Sequence, residues 1–242
     1  MTGPAHLGAI VVTSSTPLWY TTRATGLVAL VLLTGSMALG LLSSVGFYRP
    51  SWPRFVTLAL HRNVSLLALA FTVMHVLTTV LDSFVSIPLP DAVIPFISSY
   101  RPFWVGLGAI AFDLLIALSV TSLLRARMGL RGWRLVHWSA YLCWPVAVLH
   151  GLGTGTDTPV RWVLVLTVCC VLAVAVLTLW RLALSWPDRP AASIAGVALL
   201  VLTLVASGAW LRAGPLAPGW SHRSGTHTSQ PAKPTAQQDD QR

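Results

Sequence analysis

A chain of 242 residues that is 55% hydrophobic and only 10% charged, with a mean hydropathy of +0.71, is too apolar for a soluble domain and reads as a membrane protein. Its formal charge of +9 sits mostly on arginines at the ends of apolar segments, where topology signals and phospholipid contacts account for it, so no nucleic-acid partner is expected. The cysteines Cys143, Cys169 and Cys170 lie inside apolar segments and form no C-x-x-C or C-x-x-C-H, which argues against covalent c-type haem and zinc ribbons.

In chain order, residues 1–22 form a short extracytoplasmic segment. They lack the basic start of a signal peptide, and their apolar run at 7–12 is too short to span. Apolar windows of about 20 residues then fall at 24–46, 55–81, 103–124, 133–152, 160–182 and 191–211. The expected fold is all-α, a polytopic membrane bundle of six transmembrane helices within 23–212. The polar, proline- and serine-rich stretch 213–242 is expected to be a disordered tail. The connections after spans one, three and five carry Arg49, Arg54, Arg62, Arg125, Arg127, Arg131, Arg134, Arg181 and Arg189, against Arg23, Arg101, Arg161 and Arg212 on the other side. The positive-inside rule makes the richer side cytoplasmic and puts both termini outside a plasma membrane.

The second span holds His61 and His75, fourteen residues apart, and the fourth holds His137 and His150, thirteen apart. At about 1.5 Å per residue each pair covers roughly 20 Å of depth. The two spans run parallel in this topology, so His61 should meet His137 and His75 should meet His150. Imidazoles at two matched depths suggest two stacked, non-covalent b haems with one ligand from each helix. Their angular phases differ. At about 100° per residue a separation of fourteen falls roughly 40° short of four turns and thirteen roughly 140° short. Pro145, which removes a hydrogen bond to the Tyr141 carbonyl, is expected to supply the compensating kink. The competing reading is a haem-free transport or scaffold protein whose histidines relay protons or join helices.

The stretch from Trp19 to Leu182 resembles the ferric-reductase-like transmembrane domain of ferric reductases, NADPH oxidases and the haem-binding subunit of the methionine-sulfoxide-reductase system. The likeness rests on H-R-N at His61 to Asn63, M-H at His75, and V-H-W with P-V-A-V-L-H ending at His150. It implies His61, His75, His137 and His150 as axial ligands of haem iron. It also implies an oxidoreductase-type electron carrier fed by a reduced flavin, a flavoprotein or quinol, with ferric iron, a flavoprotein or a protein reductase as acceptor outside. Members with a cytoplasmic flavin and NADPH module continue beyond the membrane part, so here any flavin is expected on a separate partner.

Arg62 and Arg134 at the inner level, and Arg101 and Arg23 near the outer face, are either partners for haem propionates or plain topology markers. Asp113, alone among acids deep in a span, either serves protons or a histidine, or pairs with a hydroxyl. Gly151, Gly153 and Gly155 lack the context of a nucleotide loop and are read as room for backbone beside the outer haem. The segment from Asp82 to Pro102 is a candidate lid over it. His6, His222 and His227 read as solvated, and the tryptophans, including Trp19, Trp104 and Trp133, as markers of the membrane interface.

Overall fold

In the computed structural model, residues 17–46, 53–82, 87–154 and 157–220 are described. Among them the chain forms α1 (Pro17–Ser44), α2 (Arg54–Leu81), α3 (Leu89–Val93), α4 (Pro102–Leu123), α5 (Arg125–His137), α6 (Ala140–Thr154), α7 (Arg161–Ser185) and α8 (Pro190–Ala213), with no strand. Prolines open α4 and α8, where the missing N–H costs nothing and the fixed φ suits the first turn. Five helices, α1, α2, α4, α7 and α8, are long and apolar enough to cross a membrane, and α5 with α6, bent by 44° at their junction, is together long and apolar enough to be a sixth candidate span. The protein is an all-α, multi-pass membrane bundle.

The bend revises the expected fourth span. It falls at Trp138 and Ser139, between the two histidines, and α6 continues as helix through Pro145. At the break the amides of Ser139, Tyr141 and Leu142 bond three residues back, to Val136, Trp138 and Ser139. Each residue of such a tightened turn rotates the chain by about 120° where an α-helix gives about 100°, so the three tightened bonds recover about 60° of the shortfall of a thirteen-residue separation. Before it, α5 is itself kinked at Gly129, whose φ of 74° a side chain would resist.

Packing is that of a protein whose solvent is lipid. Contacts between helices bury small groups, Thr25, Ala29, Thr34, Thr57, Ala68, Thr78, Ala109 and Ala111, while Leu58, Leu66, Leu67, Leu77, Leu199 and Leu202 face outward. Buried threonine hydroxyls donate to carbonyls of their own helix, Thr25 to Thr21 and Thr34 to Leu30 among them, and so cost little in an apolar medium. α1 and α2 pack antiparallel along their lengths; α4 and α6 form a second close pair. α7 leans on α1, and α8 lies mainly against α7, where Ser193 bonds Ser185 and the Leu182 carbonyl.

Three contacts tie one end of the bundle together. Arg23 near the start of α1 pairs with Asp157 between α6 and α7. Arg101 donates to the Gly153 and Thr154 carbonyls at the end of α6, at 3.0 and 3.2 Å. Trp104 at the start of α4 meets Trp210 at the end of α8, with centroids 4.9 Å apart. Both ends of the described chain therefore lie on this side. The first part of the expected disordered tail is packed: Gly214 and Pro215 are buried, and Trp220 lies edge-on to Trp104 and Trp210. The apolar run at 7–12, the reading of His6, His222 and His227 as solvated, and the tail beyond Trp220 concern positions outside the described residues.

Candidate functional site

The four histidines meet in two pairs. His61 of α2 faces His137 at the end of α5 with ring centroids 6.1 Å apart, and His75 of α2 faces His150 of α6 at 6.3 Å. The ring planes cross at 82° and 77°. No hydrogen bond joins the members of either pair. A metal–imidazole bond of about 2 Å, plus about 1 Å from nitrogen to ring centre, puts two rings that share one metal about 6 Å apart. Among the described residues no group of three or more histidine, cysteine or acidic side chains converges. Each pair thus offers two imidazoles at the separation that one metal ion between them would require.

Three of the rings are oriented by a common device. His61 Nδ1 lies 2.9 Å from the Ser36 carbonyl, His75 Nδ1 2.8 Å from the Thr22 carbonyl, and His150 Nδ1 2.8 Å from the Trp104 carbonyl. A carbonyl only accepts, so each Nδ1 carries the proton and donates it, which leaves the Nε2 lone pair across the ring free for a metal. Four residues after each carbonyl stands a glycine: Gly40, Gly26 and Gly108. In an α-helix the side chain at i+4 leans back over the carbonyl of residue i. Glycine there uncovers the carbonyl for a neighbouring helix. A methyl group would lie 3.5 Å from His61 at Gly40, 3.0 Å from His75 at Gly26 and 2.5 Å from His150 at Gly108.

The arginines fall into two groups. Arg101 is 3% exposed, in a left-handed backbone conformation with φ of 44°, and is committed to the α6 carbonyls one turn past His150. There its charge meets the negative end of the helix dipole. Arg62 and Arg134 are exposed, beside His61 and one turn before His137. Asp113 is half-buried on α4 and bonds neither a histidine nor a hydroxyl among the described residues, so neither expected pairing of its carboxyl is formed. Gly151 and Gly153 belong to helix α6, not to a loop, and Gly153 lets the Trp104 indole lie against that helix where any side chain would collide. Gly155 lies outside the described residues. Of the candidate lid, α3 and the turns to Arg101 fold back toward α4, with Phe96 against Gly106.

Sequence reasoning passed over Thr22, Ser36, Gly26, Gly40 and Gly108, and took Trp104 and Trp133 for interface markers. One signal was available. Gly26 and Gly40 are fourteen residues apart, the same separation as His61 and His75 on the antiparallel neighbour.

A family model described as ferric reductase like transmembrane component matches residues 25–154, which begin inside α1 and end with α6. No curated protein and no solved structure matches the chain.

Proposed function

Since the chain belongs to the ferric-reductase-like transmembrane component family, we propose that it carries single electrons across the membrane through two b haems, one between His61 and His137 and one between His75 and His150. The observation that carries this reading is the facing of the rings at 6.1 and 6.3 Å, with three of the four Nδ1 protons already committed to carbonyls. The four imidazoles would hold the haems, which would supply a reversible one-electron iron couple.

The chain's own residues then have defined work. The Thr22, Ser36 and Trp104 carbonyls hold the rings and raise their basicity. The apolar faces of the helices keep water from the path between the two levels. Arg62 and Arg134, exposed at one level, are free to meet propionates, while Arg101, held on the α6 carbonyls, adds a fixed positive charge near the other. The side bearing Arg54, Arg62 and the α5 arginines is cytoplasmic by the positive-inside rule. An electron leaving a negative interior gains about 2.3 kcal/mol per 100 mV, which favours a cytoplasmic flavoprotein, reduced flavin or quinol as donor. The acceptor lies outside: ferric iron, a flavoprotein or a protein reductase.

A pyridine haemochromogen assay on purified protein is expected to give about two b haems per chain. A ratio near zero overturns the reading and returns the histidines to proton relay or helix association; a ratio near one leaves a single pair in use. Orientation is tested by cysteines introduced at Ser229 and Arg127 in a background without the native three. A membrane-impermeant reagent is expected to label Ser229→Cys from outside intact cells and Arg127→Cys only after lysis. The reverse pattern exchanges the inner and outer haems.

A further inference from the structure

His137 is held differently from the other three histidines. Its Nδ1 is buried without a hydrogen-bond partner, and no described glycine of a neighbouring helix lies against its ring. On α4, thirteen and fourteen residues past Gly108, where a matching glycine would be sought for this level, stand Thr121 and Ser122. No carbonyl is uncovered there for His137. Instead Trp133, one turn earlier on α5 and hence on the same helix face, stacks on the His137 ring with centroids 4.7 Å apart and planes 22° from parallel. The indole is itself restrained: its Nε1 donates to Ser122 Oγ at 3.3 Å, and the Arg125 guanidinium lies 5.2 Å from its ring centre.

We infer that Trp133 is a positioning residue for His137, fixing by ring stacking the imidazole plane that a backbone carbonyl fixes for His61, His75 and His150. The inference rests on the two-haem reading above. Stacking restrains the tilt of a ring but gives its N–H no acceptor, so His137 is the one of the four whose plane depends on a single neighbour. Crossed imidazole planes, as in both pairs here, leave the two iron dπ orbitals nearly equal in energy, and a ferric low-spin centre of that kind has a strongly anisotropic electron paramagnetic resonance. Rotation of one ring toward its partner lowers that anisotropy.

The test compares the oxidised wild-type protein with Trp133→Ala, Trp133→Phe and Ser122→Ala. Wild type is expected to give two strongly anisotropic signals, the His61–His137 one identified by its loss in His61→Ala. Trp133→Ala is expected to move that signal alone toward lower anisotropy and to release that haem roughly two- to tenfold faster, the scale of one aromatic pair. Trp133→Phe, which keeps the stack, is expected to retain the wild-type signal, and Ser122→Ala to broaden it. Unchanged signals and haem release in Trp133→Ala overturn the role. So does an equal change at both centres, which marks a general structural defect. A wild-type protein with no haem signal overturns the two-haem reading and this role with it, whereas two wild-type signals indifferent to Trp133 overturn the role alone.

Discussion

Alanine at His61 and alanine at His137 are each expected to remove the same haem, taking the content from about two to about one per chain, while alanine at His75 or His150 removes the other. The reason is geometric. Each ring faces one partner at 6.1 or 6.3 Å, whereas the two levels on α2 are separated by fourteen residues, roughly 20 Å of helix, so no ring can serve both. Methyl in place of imidazole takes away one of the only two imidazoles that each level offers. Optical redox titration of the single variants should show one remaining midpoint, equal within each pair and different between pairs. Four unrelated outcomes would refute the pairing.

The second large effect concerns a residue without a side chain. Gly108→Ala places a methyl carbon 2.5 Å from His150 Cε1 and 2.6 Å from Nδ1, a separation that real side chains do not tolerate. The ring cannot simply turn aside, because its Nδ1 is bonded to the Trp104 carbonyl one turn away on the same helix. Either that bond breaks or α4 and α6 part, an overpacking cost of about 1–3 kcal/mol. The His75–His150 haem is therefore expected to be lost or strongly weakened, with the other retained. Gly26→Ala, at 3.0 Å from His75, should weaken the same haem less. Gly40→Ala, at an ordinary contact distance of 3.5 Å from His61, should be nearly silent. Haem content and potentials measured across the three variants check this order, and a Gly40→Ala defect as large as that of Gly108→Ala would break the account.

Much of this arrangement is legible without coordinates. Apolar windows locate the long helices because lipid demands about 20 apolar residues per crossing, and the matched spacing of His61, His75, His137 and His150 marks two levels. What escapes is rotational phase. Whether a given carbonyl is uncovered depends on which face of α1 or α4 meets α2 or α6, and beyond the fourteen-residue spacing of Gly26 and Gly40 nothing in the sequence announces it. The break at Trp138 and Ser139 escapes for a related reason. Proline is the conspicuous helix breaker, yet Pro145 is accommodated within α6, while two residues of ordinary helical character carry the bend. Trp133 and Trp104 look like any interfacial tryptophans until their neighbours are known. Trp220, in a segment of tail-like composition, packs because two indoles await it at the end of the bundle.

Every histidine described here, each carbonyl and glycine that orients one, and the Trp133 stack lie between Thr22 and His150, on α1, α2, α4, α5 and α6. None is contributed by α7 or α8. Since a chain is made from its N-terminus, all the groups that would grip the two cofactors have left the ribosome before α7 enters the membrane. Cofactor capture can accordingly begin during synthesis, with the last two helices added as an outer layer around an already occupied centre.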